Sequence, residues 1–251
     1  MQYILDVDGQ KRRLQWAEEQ LSRYFVRFPP RYIILPPISQ LVMSLLGGQT
    51  YGHVSRAAHQ NLLQNFKSWS EVRDAPYNQL HRLIRGVTRS KEKAEHIQSI
   101  LSDISDRDGR PTLDHLKDLS AEDAHRWLES IKWVGPKIAA AVVNTSQLRK
   151  RSLVIDTHHR RVMQRFGLIP YGSDFVRSYR LLMPLVPENW TAEQIDEHHM
   201  RIKRLGQTLC RPRHVYCDLC PLSADCPTGQ AISLGKPVYL GPEASMERVN
   251  A

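Results

Sequence analysis

The sequence predicts an all-α protein folded as two helical lobes, and three observations carry that prediction. Apolar residues recur at helical spacing in one segment after another. Helix-capping signatures punctuate those segments. No stretch combines two-residue alternation with the tight Gly or Asn turn of a β-hairpin, and no repeat is evident.

Taken in order, Arg13 to Phe25 sets Leu14, Ala17, Leu21 and Tyr24 on one face, predicting an N-terminal helix. RFPPRYIILPPIS, with two Pro-Pro pairs, then interrupts as a linker or crossing strap. Gln40 to Leu46 forms a second helix stopped by Gly47-Gly48. Val54, Ala57, Ala58, Leu62 and Phe66 mark a third, and Ser68-x-x-Glu71 is a capping box for a short fourth. Pro76 to Arg85 makes a fifth, ended by Gly86. Ser90 caps a sixth that turns Ala94, Ile97, Leu101 and Ile104 inward. Ser120-x-x-Asp123 opens a seventh, reaching Ile131, and Pro136 starts the next. Thr191-x-x-Gln194 caps a long helix that delivers Cys210. The expected organisation is a helical body over residues 39–150, a second lobe from 1–38 plus 151–226, and a mobile, aperiodic tail at 227–251.

The 251 residues suffice for a sizeable core. Lys and Arg outnumber Asp and Glu by 35 to 26, a net charge of +9 that suggests a polyanionic partner such as nucleic acid. No apolar run approaches membrane-spanning length, and the N-terminus lacks the order of a signal peptide. The expected setting is cytoplasmic, at the nucleoid.

All four cysteines fall near the end as C-x6-C-x2-C-x5-C: Cys210, Cys217, Cys220 and Cys226. Four thiolates in one short segment can wrap a compact inorganic core, and the spacing fits a [4Fe–4S] cluster more than zinc, whose sites usually pair two knuckles across a longer gap. A structural zinc or two disulfides are the other uses of four such residues, the latter needing an oxidising compartment.

The stretch with the most chemistry is IKWVGPKIAAAVVN. One helix ends, a tight turn passes Val134-Gly135, and a helix starts at Pro136, whose missing N–H leaves no partner unmet at that position. The free amides of such a helix start can receive a backbone phosphate. Lys137 lies in that first turn; a lysine becomes a nucleophile when burial or positive potential lowers its pKa, and otherwise is a solvated surface charge. Asp156 follows the apolar run Leu153-Val154-Ile155 and precedes a helix. It is an N-cap and no more, the commonest job of such a residue, or else the apolar run holds its carboxylate partly buried, where it could stabilise a cation or move a proton.

Jointly, LLGGQT, VGPKIA, VIDTHHRRV, DEHHMRIKRLGQTLC and the cysteine spacing resemble the endonuclease III family of helix–hairpin–helix DNA glycosylases, over about residues 40–226. The resemblance implies a two-lobed helix–hairpin–helix DNA glycosylase fold, the hairpin at about 124–144, with a C-terminal [4Fe–4S] cluster loop held by the four cysteines. Double-stranded DNA with damaged bases or abasic sites would bind across the cleft, its damaged nucleotide flipped out, to a monomeric enzyme. By the family pattern Lys137 matches the catalytic lysine and Asp156 the catalytic aspartate of a bifunctional glycosylase and AP lyase. Gln49 matches a plug for the gap left in the duplex. Thr88 and Arg89 become wedge or strand-reading contacts, and Val134, Gly135 and His158 lie at the DNA. Arg211, Arg213 and His214, on the loop between the first two cysteines, suit phosphate contact.

The chain departs from that pattern near substrate. Trp133 stands at the first hairpin glycine and Lys132 at a common proline; Gly52 takes the place of an acidic residue; Gly86 to Ala94 runs about two residues longer. Ser44 occupies the position of the catalytic Glu that an adenine glycosylase needs. An oxidised pyrimidine is the expected substrate base, with an oxidised purine, a mismatched base, or a non-catalytic DNA-binding iron–sulfur protein as the alternatives.

Overall fold

Among the residues described by the computed structural model, 6–26 and 33–240, there are α-helices, short 3-10 turns and one isolated bridge, Cys210 to Val215, but no strand. None of these helices is long and apolar enough to cross a membrane. The Pro29-Pro30 pair and residues 241–251 lie outside the described residues.

The chain divides into two compact units, one from Tyr32–Ser152 and one joining Met1–Arg31 to Leu153–Ala251. In the central unit, α2 (Pro37–Leu46) is buried on most sides, begins with a Pro at its first turn, and packs against α8 (Pro136–Thr145). Around it lie α3 (Gly52–Asn65), α4 (Trp69–Asp74), α5 (Tyr77–Ile84), α6 (Ser90–Asp108) and α7 (Ala121–Glu129). Leu41, Leu46, Leu62, Leu80, Ile97, Leu101 and Leu128 form their shared core. A core of this kind needs its few polar members paired: the buried Ser39 hydroxyl and His59 Nε2 meet at 3.0 Å.

The other unit closes the N-terminal helix α1 (Val7–Tyr24) onto the C-terminal half of the chain. Leu14, Ala17 and Leu21 are fully buried beside Leu153, Ile155, Val162, Phe166 and Ile202. Here α9 (Thr157–Arg165) packs along α11 (Ala192–Thr208), with α10 (Phe175–Leu182) and α12 (Pro227–Ser233) completing the unit.

Most helix starts form as the capping signatures require. Ser68, Ser120 and Thr191 accept from the backbone N–H three residues on, and Thr191 with Gln194 makes the full reciprocal box. Several expectations change. α1 starts at Val7 rather than Arg13, because Asp6 accepts from Gly9 N at 2.8 Å and adds a turn; Tyr24 stays half exposed. Ala57 faces solvent. Ser90 is not a cap but the first helical residue; Arg89 takes the cap position in the left-handed region, φ 56°. The segment after Cys226, expected to be aperiodic, forms α12 with Pro227 in its first turn, and Leu240 is buried.

The α9–α11 contact depends on a missing side chain. A Cβ on Gly206 would come within 2.9 Å of His158 Cβ and 3.3 Å of Arg161 Nη2. Gly206→Ala should therefore overpack the interface and lower unfolding free energy by about 1–3 kcal/mol, read as an earlier denaturant midpoint; an unchanged midpoint would mean the helices are not in contact there.

Candidate functional site

In the central unit the hairpin between α7 and α8 runs through Ile131 to Gly135. Val134 N donates to Ile131 O at 3.1 Å, and Gly135 O receives Ile138 N and Ala139 N at 2.9 and 3.0 Å, which opens α8. Trp133 holds φ 74°, where glycine would be unstrained and an indole side chain is not. Its ring stacks on His96 at 4.0 Å and 16°, with the Lys132 ammonium 4.8 Å from the ring centre. A Cβ on Gly135 would meet nothing within 4 Å, so no neighbour in the described chain requires glycine at that position. Lys137, in the first turn of α8, is half-buried.

Two loops of the same unit are clasped by one lysine. Lys93, on α6 and nearly buried, donates to Leu46 O at 2.9 Å, Gly48 O at 2.6 Å and Thr50 Oγ1 at 3.0 Å. The carbonyls at the end of α2 are a favourable place for a cation. Thr50 Oγ1 also accepts from Thr88 N at 3.1 Å, and Thr88 Oγ1 donates to Gln49 O at 2.8 Å. Gln49 and Arg89 are both left-handed, at φ 53° and 56°. Burial first, then the charges of Lys137 and Arg89, bring the Lys93 pKa down to about 8. Arg89 pairs with Glu92.

In the other unit Asp156 is 6% exposed and caps α9, its Oδ1 accepting from His159 N at 2.9 Å. Burial pushes its carboxyl up, but His199, the His159 N–H and Lys203 outweigh it and hold the group well below the usual carboxylate range. The Lys203 ammonium stands 3.7 Å from Oδ2. Behind lies a stack of buried histidines. His159 and His199 are parallel with Nδ1 atoms 3.3 Å apart, and His198 meets His159 edge-on and reaches Glu18 at 2.7 Å. Burial keeps His159 well below its ordinary value, so its ring is neutral. His158 Nδ1 accepts from Arg161, which also donates to Gly206 O and Cys210 O.

The four cysteines, all with free thiols, line one cavity together with Arg165, Leu209, Tyr216 and Thr228. Among the described residues no three Cys, His, Asp or Glu side chains converge on a point as a single metal ion requires. Burial, reinforced by the neighbouring sulfurs, pushes Cys217 up to about 11 and Cys220 up to about 12. Arg165, 2% exposed, donates to Arg211 O at 2.6 Å, Pro212 O at 2.8 Å and Leu240 O at 2.6 Å, and lies 3.4 Å from Cys210 Sγ. Its Nε is buried without a partner among the described residues. Arg211, Arg213 and His214 are exposed on the loop it supports.

The sequence-selected residues thus gather in two places, while the two expected to carry the chemistry fall in different units. Gln49 and Thr88 meet directly; the cysteines share a cavity; Lys137 belongs to one unit and Asp156 to the other. The sequence reading missed Lys93, Arg165, His159 and His199. Arg165 carried one usable signal, a charge between the apolar Met163 and Phe166 on a helix that buries both.

No family model matches the chain. An Arabidopsis thaliana protein named as a presumptive DNA glycosylase is 29% identical over 148 residues, 59% of this chain and 50% of that one, so the chain spans half the length of that relative. Endonuclease III of Thermotoga maritima is 25% identical over 210 residues, 83% of this chain and 91% of that one; the Bacillus subtilis protein of that name is 25% identical over 222, 87% and 94%. Among solved structures, a trapped endonuclease III–DNA covalent intermediate with an estranged adenine superposes with a TM-score of 0.72, at 20% identity over 89% of this chain and 98% of that one. A thermostable thymine-DNA glycosylase gives 0.67 at 18% identity, over 90% and 99%. These structures share the helical fold.

Arg165→Met keeps bulk but removes three hydrogen bonds to backbone carbonyls, the one to Leu240 O buried. It should lower stability by about 3 kcal/mol and speed hydrogen exchange at residues 211–216, with α2 amides unchanged. Exchange at that loop equal to wild type would contradict the clamp.

Proposed function

We propose that the chain is a member of the endonuclease III family of helix–hairpin–helix DNA glycosylases, and that it excises damaged bases from duplex DNA and then cuts the strand at the abasic site. One observation carries the reading furthest: the half-buried Lys137 follows a hairpin turn with open space at Gly135, on the first turn of α8. Open backbone before a helix start suits the approach of a phosphate.

The chemistry follows from an amine and a carboxylate. The Lys137 lone pair bonds to C1′ of the sugar, the glycosidic bond breaks, and its electrons leave with the base, which takes up a proton. The bonded nitrogen gives up a proton, and the C1′–O4′ bond then breaks with O4′ taking up a proton, leaving a cationic Schiff base. That cation acidifies the C2′ hydrogens, and loss of one expels the 3′ phosphate by β-elimination. Asp156, ionised though buried, stabilises the positive charge that grows on the sugar. Gln49 fills the vacated place in the duplex, while Thr88 and Arg89 read the strand beside it. Val134, Gly135, His158, Arg211, Arg213 and His214 bind the backbone, and the excess of Lys and Arg supplies salt-sensitive affinity. An oxidised pyrimidine is the proposed base. The Arg56 guanidinium lies 3.1 Å from where a Cβ at Gly52 would stand, so the local charge beside that position is positive.

Cys210, Cys217, Cys220 and Cys226 would hold a [4Fe–4S] cluster. The donor set fits it: four thiols around one cavity, lined also by a buried guanidinium with an unfilled N–H, suit an anionic cluster that takes one thiolate at each corner. The cluster's contribution is to fix the loop carrying Arg211, Arg213 and His214. Protein prepared without oxygen should contain about four iron atoms per chain; one tightly bound zinc in their place would overturn the assignment.

The enzyme reading is tested on a duplex with one abasic site. Wild type should cut it and be trapped on it by borohydride, Lys137→Ala should do neither, and Asp156→Asn should slow cutting by about 10²–10⁴-fold at similar affinity. Wild type that binds the duplex but neither cuts nor traps would defeat the reading in favour of a binding protein.

A further inference from the structure

Tyr51 is the most exposed large apolar side chain among the described residues, at 80%. Single exposed aromatics are ordinary on protein surfaces, but this one follows Gln49 by two residues on a loop that is held unusually firmly. Gly47 N, Gly48 N and Thr50 N all bond back into the loop or the end of α2. The Lys93 ammonium grips two of its carbonyls and the Thr50 hydroxyl, and Thr88 ties it twice to the start of α6. Gln49 is kept in the left-handed region, an arrangement that persists where surrounding structure enforces it. Tyr51 itself is the N-cap of α3, and its ring stacks on His53 at 5.9 Å and 20°. The result is a rigid mount that presents a flat aromatic surface to solvent. A side chain so placed has little ordering entropy left to lose on contact with a partner.

We propose that Tyr51 is an aromatic wedge, whose ring stacks on a base left unpaired when the damaged nucleotide is turned out of the duplex. The proposal rests on the base-excision reading and adds to it the residue that recognises the opened stack. Every nucleobase has a π-face, so such a contact tolerates sequence while favouring DNA in which stacking is already interrupted. In the same loop the Gln49 amide would supply the polar contact and Tyr51 the apolar one, a division of work that needs the loop to hold both in register. Among the described residues the exposed phenol ring makes no contact of note beyond its stack on His53.

The test compares two duplexes of one sequence, one undamaged and one with a tetrahydrofuran abasic analogue that cannot be cut. Wild type should prefer the analogue duplex. Tyr51→Ala should lose about tenfold of that preference with affinity for the undamaged duplex unchanged, and Tyr51→Phe should keep it. A 2-aminopurine opposite the analogue should be quenched by wild type and Tyr51→Phe but less by Tyr51→Ala. Equal preference in Tyr51→Ala and wild type, or equal weakening on both duplexes, overturns the wedge. Borohydride trapping of wild type is scored separately: trapping without any dependence on Tyr51 sinks the wedge alone, and a Tyr51-dependent preference without trapping sinks the lyase chemistry alone.

Discussion

A carboxylate kept ionised out of water is the constraint around which one half of this molecule is arranged. Asp156 is almost fully buried, so desolvation alone would raise its pKa; His199, the His159 N–H and the Lys203 ammonium reverse that outcome. The same bond to His159 N starts α9. From there the helix lines up its consequences: His158 and Arg161 meet α11 at Gly206, and Arg165 at the far end clamps the loop between the first two cysteines. Cap, helix contact and cysteine loop are thus successive turns of one element. The linkage has a definite sign. A carboxyl with a depressed native pKa contributes stability above its unfolded value, near 3.9, and loses it as pH falls through the native value.

The other half is organised by strain rather than charge. Of the four non-glycine residues with left-handed backbones among those described, Gln49, Arg89 and Trp133 sit on the loops proposed to touch DNA. Each is fixed by specific partners: the Lys93 and Thr88 network for the first two, the His96 stack for the third. Such conformations cost of order 1–3 kcal/mol apiece and survive only where neighbours over-determine them. A loop that must read a distorted duplex gains from being set in advance, since a floppy one would lose on ordering what it gained in contact.

The helices and most of their starts were legible in the sequence because caps are local. Ser68, Ser120, Asp156 and Thr191 each bond to an N–H three residues away, and a distance of that kind can be read directly from the chain. The all-helical class, and the resemblance to endonuclease III, were legible for a similar reason: short motifs in a fixed order. What stayed hidden depends on residues distant in sequence. Lys93 looks like any surface lysine until Leu46 and Gly48 close over it, 47 and 45 residues earlier. Arg165 meets Leu240 across 75 residues. Ser90 had the composition of a cap, but its hydroxyl instead meets His81 at 3.1 Å and the strained Arg89 takes the cap position. The helix after Cys226 escaped notice because seven residues are too few to show a period.

Asp156 is therefore the group to measure. With carboxyl carbons labelled and the Asp156 resonance assigned by its loss in Asp156→Asn, an NMR titration reads its protonation directly in the folded protein. The account predicts a signal that stays at its ionised position as pH is lowered through the ordinary Asp range, near 3.9. A resonance that titrates at or above that value would show that His199, the His159 N–H and Lys203 do not outweigh burial, and one that titrates above neutral pH would leave the proposed stabilisation of a cationic sugar with no charge to supply it.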